Sequence, residues 1–82
     1  GGIVFAPGAA GTVQEIFQAA NDRFYAARET AAAPLVLLGA DHWTRALPAW
    51  PLLDALARES PMAGAVHVVD DLDEALALVT AG

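Results

Sequence analysis

The sequence predicts an α/β fold built on a parallel sheet. Two observations carry this expectation. Two short, continuous apolar runs, at residues 3–6 and Leu35–Leu38, and a third strand candidate, Val66–Val69, recur along the 82 residues, and each is followed by a stretch with helical periodicity. Continuous apolar runs bounded by turn residues mark strands covered on both faces, as parallel strands are. The resulting order, β-α-β-α-β-α, implies right-handed crossovers between parallel strands. No internal repeat or low-complexity tract interrupts it.

The first run lies between Gly2 and Pro7. After a loop of small residues, residues 12–27 place Val13, Ile16, Phe17, Ala20, Phe24 and Ala27 at the i, i+3, i+4, i+7 spacing of an amphipathic helix. Gln14, Gln18, Asp22 and Arg28 fall largely on the opposite side. Residues 29–34 connect to the second strand, and Pro34 biases Ala33 away from helix. Residues 43–47 suit a short helical turn stopped by Pro48. Pro51 fits the first turn of a helix over residues 51–60, with Leu52, Leu53, Leu56 and Ala57 as its apolar positions. Residues 60–64 form a loop before the third strand. Asp71 and Glu74 then have the spacing of a capping box, opening a helix that runs to about Ala81.

Composition narrows the function classes. Apolar residues make up 56% of the chain, which is a globular composition. The formal net charge is −6, and the four arginines (Arg23, Arg28, Arg45, Arg58) form no cluster in sequence. Nonspecific binding to nucleic acid or to anionic membranes needs a basic face, so neither is expected as a partner. Cysteine is absent, which excludes disulfides, thiolate catalysis and cysteine-based zinc sites. No apolar run has the length of a membrane span and no secretory leader is legible, so the expected location is cytoplasmic. The chain opens on Gly1–Gly2 without an initiator methionine, and a segment upstream is expected.

The chemistry is expected in the loop Pro7, Gly8, Ala9, Ala10, Gly11, Thr12. It leaves a strand and enters a helix, at the end of a parallel sheet where ligands bind. Gly8 and Gly11 permit backbone angles closed to other residues. Ala9 and Ala10 leave room for a ligand to approach the main chain. The first amides of a helix have no intrahelical partner and, with the helix dipole, form an anion site. The Thr12 hydroxyl adds a donor. Phosphate suits such a loop, and a tight turn with nothing bound suits it as well. Glu15 has two readings: the second half of a capping box with Thr12, or a carboxylate facing a ligand, where it could bind a ribose hydroxyl or stabilise charge developing on a sugar.

Residues 2–15, GIVFAPGAAGTVQE, resemble the PGGxGTxxE signature of the LOG family. That family includes cytokinin-activating phosphoribohydrolases and proteins labelled possible lysine decarboxylases. The following helix, the Leu35–Leu38 strand with Gly39, the aromatic stretch around Trp43 and the closing strand–helix unit run in the family's order. The resemblance spans essentially the whole chain, but only the C-terminal half of a family domain. It implies a Rossmann-like, three-layer fold, of which this chain supplies a β-α-β-α-β-α half-domain. It implies that Pro7, Gly8, Ala9, Ala10, Gly11 and Thr12 bind the phosphate of a nucleoside monophosphate or related ligand. It implies that Glu15 is catalytic, acting with an upstream arginine to hydrolyse the N-glycosidic bond and release base and ribose 5-phosphate. No cofactor is implied, and nothing suggests a pyridoxal phosphate site. The signature is shared with nucleotide-binding proteins that lack this activity, such as molybdenum-cofactor carrier-like proteins.

Two departures bear on activity. Ala9 stands where the signature has its second glycine, which would impose strain if that position needed positive φ. The upstream arginine belongs to a segment outside this chain, and Arg23 and Arg28 are too far along the helix to replace it. The chain alone is therefore expected to be an incomplete, inactive piece of a hydrolase, or else a binding module that holds a nucleotide without cleaving it. A remnant that completes another half-domain is a third reading.

Other polar residues have simpler expected roles. Asp41 and His42 are read as loop-capping rather than as a base or metal ligand. His67 is expected to be a hydrogen-bonded, half-buried strand residue. Asp70, Asp71, Asp73 and Glu74 crowd a helix N-terminus, which the dipole favours, and their spacing matches no cation loop, so no metal site is expected. Trp43 and Trp50 are expected in the core. Tyr25 turns away from the apolar face shared by Phe17 and Phe24. The resemblance makes Tyr25 a candidate contact in a homodimer of the intact protein.

Overall fold

The computed structural model describes residues 2–25, 33–58, 60 and 62–80. Its elements are β1 (Ile3–Phe5), α1 (Ala10–Phe24), β2 (Leu35–Leu38), a π-helical turn (His42–Ala46), α2 (Ala49–Ala57), β3 (Val66–Val69) and α3 (Leu72–Thr80). The fold is α/β, with an open, all-parallel sheet in the order β1-β2-β3. Ile3 pairs with Leu35, and Leu35 with Val66.

The centre of the sheet explains its apolar sequence. Leu35, Val36 and Leu37 of β2 are fully buried, because successive side chains point to opposite faces and both faces are covered. Leu35 and Leu37 join Phe5, Val66, Trp43 and Met62 against Ile16 and Ala20 of α1 and Leu53 and Ala57 of α2. Val36 and Val69 face Ala75 of α3, with Val4, Leu38, Leu78 and Val79 packed around them. Helices thus cover both faces, α1 and α2 on one and α3 on the other. Each fully buried aliphatic side chain contributes roughly 1.5–3 kcal/mol relative to exposure. His67 alternates with Val66 and Val68 onto the α3 face, where it is half-buried.

The three strands fall where the apolar runs do, with β1 ending at Phe5 rather than Ala6. The helices differ more. α1 starts at Ala10, two residues before the expected start at Thr12, because the amphipathic pattern is silent over Ala10 and Gly11. It is described to Phe24; its expected end at Ala27, and Arg28 and Glu29 in the connection, lie outside the described residues. Arg23 closes the helix. Its Nε–H donates to the Ala33 carbonyl at 2.9 Å and its Nη1 to the Ala19 carbonyl at 3.0 Å, tying α1 to the entry of β2.

α2 also starts two residues early, at Ala49, which leaves Pro51 in the first turn where no N–H is needed. Leu47 is extended, with φ −133° and ψ 90°, and separates the π turn from α2. Asp71 caps α3, its Oδ1 accepting the Asp73 N–H at 3.1 Å, while Glu74 in the first turn makes no return bond to Asp71, so only half of the expected capping box forms. Trp43 is fully buried and Trp50 packs against the same core. Among the described residues no helix is long and apolar enough to cross a membrane.

Candidate functional site

Parallel strands end at the same edge of the sheet, so three chain segments meet there. They are the loop over residues 6–9 after β1, the segment from Gly39 to His42 after β2, and Asp70 after β3. The loop is bare. Pro7, Ala9, Ala10 and Gly11 are exposed, whereas Gly8 and Thr12 are half-buried. The first intrahelical bond of α1 runs from the Val13 N–H to the Ala9 carbonyl at 3.0 Å. The amides of Ala10, Gly11 and Thr12 therefore have no partner within the helix. No side chain caps this end, since the capping position is Ala9. Main-chain donors and the positive end of the helix dipole open toward solvent here, which is the physical requirement for holding an anion.

The glycines work differently from the sequence expectation. Neither Gly8 nor Gly11 has positive φ; among the described residues Gly39 (φ 101°) and Gly64 (φ 79°) do. Gly8 is required by space. A Cβ there would lie 2.1 Å from Thr12 Oγ1 and 2.7 Å from Thr12 Cβ. The loop lies directly against the first turn of the helix. Ala9 adopts φ −119°, so this position of the signature does not need the positive φ that would penalise alanine. Gly39 lets β2 turn beneath the loop, where a Cβ would meet the Pro7 ring at 3.1 Å.

Thr12 lies inside α1, in its first turn, and so cannot cap the helix. The Thr12–Glu15 capping box is absent for that reason. Glu15 is exposed, in the second turn of α1, and makes no hydrogen bond or ion pair with another described residue. Its capping reading is removed and its ligand-facing reading is left in place.

His42 does hold a loop, as expected, but it is the loop after β1 and not its own. It belongs to the π turn and reaches across the sheet edge to the loop. Its Nε2 lies 2.8 Å from the Gly8 carbonyl oxygen and 3.3 Å from the Gly8 nitrogen. Behind it, the Trp43 Nε1–H donates to the Leu38 carbonyl at 3.0 Å. The Asp70 carboxylate accepts the Ala40 N–H at 2.8 Å, which fastens the Gly39–His42 segment to the end of β3. The sequence spacing of 34 residues between Gly8 and His42 hides this contact.

The described arginines do not gather at the loop. Arg23 binds main-chain carbonyls at the far end of α1, Arg45 pairs with Asp41 at 3.4 Å, and Arg58 pairs with Asp54 at 2.7 Å. Among the described residues, no three or more His, Asp or Glu side chains come together as a set of metal ligands. Two apolar grooves run along the outer side of α1 and α2, beside Phe17, and neither includes a loop residue. Tyr25 lines one of them and is 76% exposed, with its ring edge-on to Phe24 at 5.0 Å. Searches of protein-family models, curated proteins and solved structures find no match for this chain. What the fold and the sheet edge define is an α/β unit with an open main-chain donor loop.

Proposed function

We propose that this chain is the nucleotide-binding portion of a LOG-like nucleoside 5'-monophosphate phosphoribohydrolase with a Rossmann-like fold. The observation that carries the reading is the uncapped start of α1 at the carboxyl edge of a parallel sheet, within a loop that resembles the family's phosphate signature. Gly8, Ala9, Ala10, Gly11 and Thr12 hold the 5'-phosphate through main-chain amides and the Thr12 hydroxyl, and Pro7 directs the chain into that loop. Glu15, one turn further, stabilises the positive charge that develops on the ribose as the N-glycosidic bond breaks. Water then takes the place of the base, giving free base and ribose 5-phosphate. The negative φ of Ala9 supports this, because the positive-φ objection to alanine in the signature does not arise. The intact protein is a cytoplasmic homodimer in this reading, with Tyr25 of α1 among its contacts.

A second reading is favoured by a separate observation. Among the described residues no arginine bonds to the loop or to Glu15: Arg23 holds main-chain carbonyls, and Arg45 and Arg58 pair with Asp41 and Asp54. By itself it is then a module that binds a nucleotide and leaves it intact.

The test is incubation of the intact gene product with AMP and a panel of other nucleoside monophosphates, followed by chromatography for free base and ribose 5-phosphate. Base release is expected, and Glu15→Ala should abolish it without changing the melting temperature, since Glu15 is exposed. Nucleotide binding without release would establish the second reading. Neither binding nor release would refute both.

A further inference from the structure

The contact between His42 and Gly8 is not used by the reading of the loop above. The segment that carries His42 is well fixed. Trp43 stands edge-on to the imidazole, with centroids 4.6 Å apart and planes at 86°, and is itself anchored to Leu38. Thr44 donates its hydroxyl to the Ala40 carbonyl at 2.7 Å, and Asp70 holds the Ala40 amide. From this base the ring presents one nitrogen to two groups of the same residue, the Gly8 carbonyl oxygen and the Gly8 N–H. One nitrogen serves one of them at a time. When Nε2 carries a proton it donates to the carbonyl, and the Gly8 N–H is free. When Nε2 carries a lone pair it accepts the Gly8 N–H, and that donor is withdrawn from any other acceptor.

We propose that His42 is a positioning residue of the loop, and that the proton on its Nε2 decides whether the Gly8 N–H is offered to an anionic ligand. The proposal rests on the anion-binding reading given above. An imidazolium always carries Nε2–H, so protonation selects the state in which Gly8 is available and also brings a positive charge to the loop. The loop itself has no charged side chain. The charged groups around His42 are Asp41 and Arg45 on its own turn, paired with each other, and Asp70 after β3, committed to Ala40. Beyond these stand Glu15 on α1, the Asp54–Arg58 pair on α2 and Asp71, Asp73 and Glu74 at the start of α3. Carboxylates and guanidinium groups keep their ordinary charge across neutral pH, whereas imidazole is the side chain that changes there.

The experiment uses the 82-residue chain, ¹⁵N-labelled, titrated with sodium sulfate at about pH 5.5 and about pH 8, a range over which imidazole titrates and sulfate keeps its charge. Wild type, His42→Gln and His42→Ala are compared. Wild type should bind sulfate about tenfold more tightly at the lower pH, the scale of one charge-assisted hydrogen bond. His42→Gln, whose amide donates at every pH, should lose the pH dependence and stay within about threefold of the tighter wild-type value. His42→Ala should bind weakly at both. Equal sulfate affinity of wild type at the two pH values, or the same pH dependence in His42→Gln, would overturn the proposal. If no protein binds sulfate, the ligand reading of the loop fails, and the Gly8 amide resonance then decides the latch alone. A Gly8 resonance that follows the His42 ring titration supports the latch, and one that ignores it overturns it.

Discussion

Gly8 and Gly11 sit three residues apart, the first in the loop after β1 and the second in the first turn of α1, and the structure predicts opposite effects when each is replaced by alanine. A Cβ at Gly8 would lie 2.1 Å from Thr12 Oγ1, 2.7 Å from Thr12 Cβ and 3.1 Å from Thr12 Cγ2. Rotating the Thr12 side chain moves the outer two atoms but not its Cβ, which is fixed to the helix. The loop must therefore move away from the first turn of α1. Overpacking of this kind costs about 1–3 kcal/mol. A Cβ at Gly11 would have nothing within 4 Å, and Gly11 lies in the helix without positive φ. Alanine there restricts the unfolded chain at no cost to the folded one and stabilises by about 0.4–1 kcal/mol. For a domain of this size each kcal/mol shifts the melting temperature by roughly 4–8 °C. Gly8→Ala should melt at least about 4 °C below wild type, and Gly11→Ala should melt above it. Thermal unfolding followed by tryptophan fluorescence reads both, since Trp43 is fully buried. Adding Thr12→Ala to Gly8→Ala removes the contacts at 2.1 and 3.1 Å but not the one at 2.7 Å, and should restore part of the loss. A Gly8→Ala protein as stable as wild type, or a Gly11→Ala protein less stable, would refute the assignment of Gly8 to space and Gly11 to helix.

Two further substitutions test how the site is supported. Trp43→Ala removes a fully buried side chain at a cost of about 3–5 kcal/mol, most of a small domain's stability, so its far-UV circular dichroism should show a largely unfolded chain at 37 °C. Trp43→Phe keeps the ring and loses the hydrogen bond to Leu38, and should fold with a loss of about 1–2 kcal/mol by urea denaturation. Arg23→Ala removes one hydrogen bond that ties α1 to Ala33 and one to Ala19 within α1, with an expected loss of about 1–2 kcal/mol by the same method. Arg23→Lys should recover less than half of it, because an ammonium does not reproduce the guanidinium fork.

The strands were the most legible part of the sequence. β2 is a four-residue apolar run between Pro34 and Gly39, buried on both faces, and β3 is three valines around His67 that end at Asp70. The starts of α1 and α2 were less legible. Ala10 and Gly11 carry no amphipathic signal, and Ala49 precedes the apolar stripe of its helix, so tertiary contacts rather than pattern set both boundaries. That shift of two residues changed the chemistry read from the loop, since it moved Thr12 from cap to helix interior and left Glu15 without a cap to serve. The need for positive φ was assigned to the glycines of the loop and is met instead by Gly39, where the turn is made under Pro7. Tyr25 does turn away from the core, and Phe24 follows it further than the helical stripe suggests, at 36% exposed. The partnership of His42 with Gly8 depends on how the ends of β1 and β2 are brought side by side, and no local pattern encodes it.

β2 is the one strand here paired along both sides, with the Leu35 N–H donating to Ala65 at 2.7 Å and the Ile3 N–H donating to Pro34 at 3.0 Å. Both β-α-β units share it. Neither unit can open while the other stays intact without leaving β2 half-paired and one of its faces wet. The amide protons of Leu35–Leu38 therefore have no local route to solvent, and should exchange only when the whole molecule unfolds. Their exchange rates, measured in deuterium oxide, report the global stability of the fold directly, whereas the exposed amides of Ala10 and Gly11 exchange freely whatever that stability is.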